Sequence, residues 1–447
     1  MKRRITLIAM LLMSFSTFSQ KAKQESPESV SAKRPKLVVG VVVDQMRYDY
    51  LVKFMDKYSE DGFRRLLREG FSFTNANYNY VPTYTACGHA CVYTGTTPSY
   101  NGIISNDWFN RYTKKNVYCV NDTTVSSLGT TSISGKMSPV NLLTTTIGDE
   151  LKLATNFKSK VIGIALKDRG SILPAGKGAD AAYWHDPYTN NFVSSTYYMK
   201  ELPKWVDDFN ARKVADSLLS RPWTTLLPIE KYTESSADDT PYEGLYSGET
   251  KPVFPHNLPA IKATDNELVR KTPFGNTLTR EFVESALQNE QLGRRGETDF
   301  LAISFTSTDY VGHMFGINAI ELEDTYLRLD QDMALLLNAL DQQVGKNEYI
   351  LFLTADHGAV NNPMYSEDHK LNGEFFDGNP LMDSLKQEMK KVYGDGEFFL
   401  NTSTSNIYLN RDLVASKKIS LADFQNRVAA FIGNFEGVAN VITFQQN

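Results

Sequence analysis

The sequence predicts an α/β protein built on a central, mostly parallel β-sheet with helices on both faces. Two patterns carry that expectation. Continuous apolar runs such as KLVVGVVVD, SKVIGIAL, DFLAISF and YILFLT read as strands buried on both faces, and amphipathic helical segments alternate with them. With 447 residues, of which 41% are hydrophobic and 22% charged, the chain can bury a large core, so disordered and fibrous classes are excluded.

The first segment precedes the fold. Lys2, Arg3 and Arg4 stand before the apolar run ITLIAMLLMSF, and STFSQ follows it, which is the pattern of a secretory signal peptide over residues 1–20 cleaved near Ser19 or Gln20. The run is short for a bilayer span, and no later stretch reaches that length. A soluble periplasmic or secreted protein without a membrane anchor is expected. Residues 21–35 read as a flexible lead-in.

The fold is expected from Lys36 as one domain over 36–447. KLVVGVVVD is a central strand ending at Asp44, SEDGFRRLLREG a helix, FSFTNANY a strand, and SPVNLLTTTIGDELKLA a helix with Ser138 as its N-cap. SKVIGIAL is a buried strand, TLTREFVESALQNE a helix and DFLAISF a strand. A long helix runs through Leu322, Tyr326, Leu329, Met333, Leu336 and Leu340, stepping by three and four, and Gly345 supplies its stop. YILFLTADHG closes the series as a further buried strand. From about 181 to 274 the pattern turns rich in Pro, Tyr, Asp and Thr, as expected of an insertion or cap over the sheet edge.

A net charge of -5 without long single-sign runs leaves no electrostatic footprint for nucleic acid. Three cysteines are too few for a disulfide framework. Cys87 and Cys91, four apart on a predicted helix, are read as buried apolar residues in preference to a disulfide.

Acids and imidazoles cluster where strands end: Asp44; Asp309 and His313 after DFLAISF; Asp356 and His357 in TADHG. Such a mixed oxygen and nitrogen set suits zinc, with manganese or magnesium as alternatives. An acid at a strand end is more often a cap or turn residue, but three strand ends presenting ligands to one edge make a metal site the better reading. In NYVPTYTACGHACVYTG, Thr83 and Thr85 lie at the start of a predicted helix, where the dipole favours an alkoxide or a bound phosphate. Either could instead simply cap the helix. Lys167 and Arg169, two apart in ALKDRG, would face the same side of an extended segment and could clamp phosphate oxygens, or be two ordinary surface cations.

These residues together resemble the alkaline phosphatase superfamily, and within it the threonine-nucleophile, phosphate-irrepressible alkaline phosphatases. VVVDQMRYDYL, PTYTACGHA, SNDWF, ALKDRG, STDYVGH and TADHG carry the resemblance across nearly the whole chain. It implies an alkaline-phosphatase-like fold, phosphate monoesters as small-molecule substrates, and two Zn2+ ions. It further implies that Thr85 is the phosphorylated nucleophile and that Asn106, Lys167 and Arg169 hold the phosphoryl oxygens. Asp44, Asp356 and His357 would bind the zinc that activates Thr85; Asp309 and His313 would bind the zinc that stabilises the leaving oxygen and supplies hydroxide to the phosphothreonine.

The chain departs from the family pattern in two places. A third ligand of the second zinc, a histidine in a His-Gly segment, is absent: after His357 only His369 remains, which is too early, so a C-terminally incomplete copy with the sixth ligand beyond residue 447 is expected. Asn101 stands where relatives often have His. The rival readings are a phosphodiesterase or nucleotide pyrophosphatase of the same superfamily, disfavoured by two cations suited to a monoester dianion; a sulfatase, disfavoured because Cys87 and Cys91 lack the Pro and Arg of the formylglycine motif; a glycolytic phosphoglycerate mutase, disfavoured by export; and a non-catalytic metal- or phosphate-binding protein.

Overall fold

Val, Leu and Gly make up Leu37–Val43 (β1), and six of its seven residues are buried, as a strand covered on both faces requires. The computed structural model describes residues 34–443. The expected signal peptide and nearly all of the lead-in lie outside the described residues. Further strands are Asp107–Asn110 (β2), Lys115–Tyr118 (β3), Ser127–Leu128 (β4), Val161–Ala165 (β5), Ala181–Asp186 (β6), Asn191–Ser195 (β7), Asp299–Phe305 (β8) and Tyr349–Thr354 (β9). Seven of them form the main sheet in the order β4-β7-β6-β5-β8-β1-β9. The five strands from β6 to β9 pair in parallel, and β7 and β4 add an antiparallel edge.

Helices cover both faces, as the alternation predicts. Principal ones are Phe63–Glu69 (α1), Thr85–Thr94 (α2), Ile147–Ala154 (α3), Asp168–Ala175 (α4), Phe274–Asn289 (α5), Ser307–Phe315 (α6) and Ile320–Leu340 (α7). On one face Val39, Val41, Leu301 and Ile303 share a core with Phe282 of α5 and Leu329 and Met333 of α7. On the other, Val42, Phe300 and Ala302 cluster with Tyr93 of α2, while Ala86 and Ala90 of α2 join Ile172 and Leu173 of α4. A π-helical turn, Asp341–Gly345, closes α7, and Gly345 takes φ +113°, which a side chain would resist.

Several local expectations are corrected. FSFTNANY forms no strand: residues 71–84 are irregular, and Phe71 and Phe73, 81% and 76% exposed, pack edge to face on each other instead of pairing to a sheet. Ser138 caps no helix; its hydroxyl donates to Asp122 Oδ2. The helix starts at Ile147, because Thr146 and Asp149 form a reciprocal capping box there. β9 is not a buried strand but the sheet edge, and its residues are only partly covered. The pattern change at Ala181 does not mark departure from the sheet, since β6 and β7 belong to it; residues 196–273 then run through short helices and turns.

Beyond the sheet lies a small substructure whose separate core the sequence reading did not anticipate. Gly378–Tyr393 (α8), Phe399–Ser403 (β10), Asn406–Leu409 (β11) and Leu421–Gly433 (α9) enclose Leu385, Met389, Phe398, Phe424 and Val428. Cys87, Cys91 and Cys119 are free and buried.

Candidate active site

Four adjacent parallel strands, in the order β5, β8, β1, β9, bring their C-terminal ends to one edge of the sheet. Their registers keep the ends level: Val43 pairs with Phe305, Val42 with Thr354 and Ala165 with Ser304. Residues just past those ends must therefore converge, as ligand-binding crevices of such sheets do. Asp44 follows β1, Asp309 lies in the first turn of α6 after β8, Asp356 and His357 follow β9, and Lys167 follows β5.

Asp44, Asp356 and His357 offer ligand atoms that all lie within 4.8 Å of one another. Asp356 Oδ1 accepts from the backbone N–H of Gln45 at 3.1 Å and of His357 at 3.0 Å. Asp44 Oδ1 and Asp356 Oδ2 are buried and make no well-formed hydrogen bond; they meet only imidazole nitrogens, His357 Nε2 at 3.4 Å and His89 Nδ1 at 3.3 Å. Buried carboxylate oxygens with no well-formed hydrogen bond, beside an imidazole, are costly unless a cation meets them, so this donor set fits a metal ion. Burial opposes the charge on His357, but its hydrogen bond with Asp44 and the charges of Asp356 and Asp44 hold its pKa up at about 9. Burial alone would raise the Asp356 carboxyl; His89, His357 and Lys167 hold it down at about 2.

Asp309 and His313, one helical turn apart on α6, lie side by side with Nε2 and Oδ1 at 3.2 Å. His313 is 72% exposed and so open to a ligand, and Asp309 Oδ1 is 3.8 Å from His357 Nε2. Between the two acid groups stands the Lys167 ammonium, 2.8 Å from Asp44 Oδ2 and 2.5 Å from Asp309 Oδ2. Burial works against its charge, but Asp44 and Asp309 raise its pKa all the same. Burial and the Asp44 charge would raise Asp309, and Lys167 and His313 lower it.

Thr85 is the first residue of α2 and is 4% exposed. It is not the helix cap. Tyr84 holds that position without a side-chain hydrogen bond, and Asn106 Oδ1 accepts the Ala86 N–H at 2.9 Å instead. The Thr85 hydroxyl is thus free to face the acids and cations, with His357 Nε2 at 3.4 Å and Lys167 Nζ at 3.5 Å. Thr83 lies exposed in the preceding coil. Gly88 lets α2 press onto the site, since a Cβ there would fall 2.3 Å from the Asp356 carbonyl oxygen.

Lys167 and Arg169 do not share an extended segment. The strand stops at Ala165, Lys167 becomes the N-cap of α4 and Arg169 sits in its first turn, because Asp168 Oδ1 accepts the Arg169 N–H at 2.7 Å. Arg169 Nη1 donates to Tyr118 Oη at 3.0 Å, and that hydroxyl donates to Asp168 Oδ1 at 2.5 Å. Arg169 Nε is buried without a partner.

Sequence reasoning passed over Gln45, His89 and Tyr118. Gln45 takes φ +65°, which lets its backbone serve Asp356 while its Nε2 donates to Asp309 Oδ1 at 2.9 Å. His89 Nδ1 faces the Thr85 carbonyl at 2.8 Å, so it carries the proton, and Nε2 meets Ser304 Oγ at 2.9 Å. Gln45 next to Asp44 and His89 one helical turn after Thr85 were signalled by that proximity; Tyr118 had no such signal. Asn101 is a buried structural amide whose Oδ1 accepts the Ile103 N–H. His369 stacks on Tyr365 at 3.9 Å after a different helix.

Fold and site define the class: an alkaline-phosphatase-like α/β protein with a metal-type donor set at the strand ends. Residues 38–416 match the family described as type I phosphodiesterase / nucleotide pyrophosphatase, and the chain belongs to that family, within the alkaline phosphatase superfamily. It is 48% identical over 421 residues to a Myroides odoratus protein named calcium-transporting ATPase, covering 94% of this chain and 77% of that one. It is 48% identical to alkaline phosphatase PafA of Elizabethkingia meningoseptica, covering 88% of this chain and 72% of PafA. It is 43% identical to alkaline phosphatase PhoV of Synechococcus elongatus, covering 99% of this chain and 80% of PhoV. A crystal structure of wild-type PafA superposes with a TM-score of 0.89 at 46% identity, covering 92% of this chain and 79% of that one. Among the described residues no helix is long and apolar enough to cross a membrane.

Proposed function

We propose that this chain is an exported, zinc-dependent phosphomonoesterase of the alkaline phosphatase type in which Thr85 is the nucleophile. The observation that carries the reading is the Thr85 hydroxyl, which caps nothing and faces His357 and Lys167 beside the buried Asp44 and Asp356 carboxylates. A PafA mutant of known structure replaces one threonine, one asparagine, one lysine and one arginine. Those are the residue types of Thr85, Asn106, Lys167 and Arg169.

Asp44, Asp356 and His357 would hold one ion, and Asp309 with His313 a second. When bound, the pair supplies Lewis-acid charge that lowers the pKa of a hydroxyl or water and stabilises a leaving oxygen. Thr85 Oγ1, at the start of α2, loses its proton and forms a bond to phosphorus as the ester P–O bond breaks, and the departing alkoxide gains a proton to leave as the alcohol. Water then attacks phosphorus, the Thr85 Oγ1–P bond breaks, Thr85 Oγ1 regains the proton that the water gives up, and inorganic phosphate leaves. Lys167 and Arg169 place fixed positive charge on the non-bridging oxygens, and Asn106 adds its amide; positioning and charge are most of what phosphoryl transfer needs from a protein. The two cations favour a monoester dianion, which separates this reading from the diesterase and pyrophosphatase activities in the family's description.

The test is hydrolysis of an aryl phosphate monoester by zinc-loaded protein, against a bis-aryl phosphate diester and with a chelator. Monoester turnover that the chelator abolishes is expected; no monoester turnover with zinc bound would overturn the reading. Zinc uptake should itself depend on pH. A ligand imidazole must be neutral, whereas His357 in the metal-free protein keeps its proton up to about pH 9. Affinity should therefore rise with pH, by up to about tenfold per unit, and level off above the His357 pKa. Calorimetry in buffers of different ionisation enthalpy measures the released proton, and a pH-independent affinity between pH 6 and 9 contradicts it.

A further inference from the structure

The hairpin of β2 and β3 connects residues that the proposed reaction needs. Asn106 immediately precedes β2, and its carbonyl accepts the Cys119 N–H at 2.9 Å just after β3. Asp107 and Tyr118 are register partners, so the same hairpin that carries Asn106 also carries the hydroxyl that Arg169 grips. A shift of this hairpin would move Asn106 and the Arg169 guanidinium together.

What fixes the hairpin from outside is the C-terminal substructure. β10 and β11 are joined by a two-residue turn, Thr404–Ser405, with φ +54° and +59°. Such turns favour Asn-Gly, and a β-branched residue in the left-handed region is strained. Thr404 therefore sits where turn chemistry alone would not put it. Strain of this kind persists where a side chain has another task.

The contacts of its hydroxyl show that task. Thr404 Oγ1 lies 3.0 Å from Ser105 Oγ and donates to the Asp107 carbonyl at 3.1 Å, so it holds the residues on either side of Asn106. Ser403 Oγ lies 3.2 Å away and helps to aim it. Nearby, the Phe109 and Tyr408 rings pack edge-on at 5.2 Å, and Asn401 Nδ2 meets Asn116 Oδ1 at 3.4 Å. Ser105 is buried, so its hydroxyl has little water to turn to.

We propose that Thr404 is a positioning residue for the phosphoryl site, through which the C-terminal substructure sets where Asn106 and the Arg169 guanidinium stand. The inference rests on the phosphomonoesterase reading of Asn106.

The test compares Thr404→Gly, which keeps the left-handed turn without strain but loses the hydroxyl, with Thr404→Ser, which keeps the hydroxyl. Zinc-loaded full chain is assayed on an aryl phosphate monoester and for inhibition by inorganic phosphate. The Gly variant should lose about fivefold in kcat/KM and bind phosphate more weakly by a similar factor, with an unchanged or higher Tm. The Ser variant should stay within about twofold of wild type. In an Asn106→Ala background, Thr404→Gly should cost clearly less than in wild type, since only the part that passes through Arg169 remains. Wild-type phosphate inhibition in Thr404→Gly, or a full additional loss in the Asn106→Ala background, overturns the positioning role. An Asn106→Ala variant at wild-type efficiency would instead sink the underlying reading of the site, and the inference with it.

Discussion

Thr85→Ala is expected to lower monoester kcat by at least about a thousandfold, because it removes the proposed nucleophile while leaving the acids and cations in position. Fold and metal content should change little. Thr85 provides no helix cap, and the Ala86 N–H is satisfied by Asn106, so α2 loses no hydrogen bond when the hydroxyl goes. Ala also has the better helix propensity, which limits any destabilisation to about 1 kcal/mol from the lost packing of one hydroxyl and one methyl group. Zinc stoichiometry and Tm close to wild type, with phosphoprotein no longer trapped by acid quench, complete the expected result. Thr85→Ser should retain substantial activity. A Thr85→Ala variant turning over near the wild-type rate would assign the attack to water and leave Thr85 a buried polar residue.

The structure brings the three acids to one edge of the sheet for a reason that lies in strand physics. A continuous apolar run ending in an acid marks the point where a buried parallel strand leaves the sheet, so Asp44, Asp309 and Asp356 were legible individually, and strand order β8-β1-β9 makes them neighbours. Strand order itself was not legible. Nor was Gln45, whose backbone serves a carboxylate 311 residues away; a non-local hydrogen bond leaves no periodic trace. FSFTNANY shows the opposite failure. Its alternation suits a strand, but no sheet edge receives it, and Phe71 and Phe73 satisfy each other instead. The spacing of Lys167 and Arg169 suits an extended segment, yet a helix begins between them at Asp168 and makes Lys167 its N-cap.

That last correction separates the two cations as experimental probes. Lys167 contacts Asp44 and Asp309, which would also hold metal, so Lys167→Ala removes a phosphate partner and at the same time a cation that shields two carboxylates from each other. Zinc affinity should rise in that variant while catalysis falls. Arg169 touches neither acid; its side-chain partners are Tyr118 and Asp168, and its Nε is unengaged. Arg169→Ala therefore leaves the candidate metal ligands untouched. Each loss should cost about a hundredfold in monoester kcat/KM, in line with the removal of one charge-stabilising group from a transition state. On a diester, which presents one negative charge fewer, the Arg169→Ala loss should be about tenfold or less. The monoester-to-diester ratio, not either rate, is the discriminating quantity. Equal losses on both substrates would remove the ground for assigning monoesters, and a larger loss on the diester would favour the diesterase reading outright.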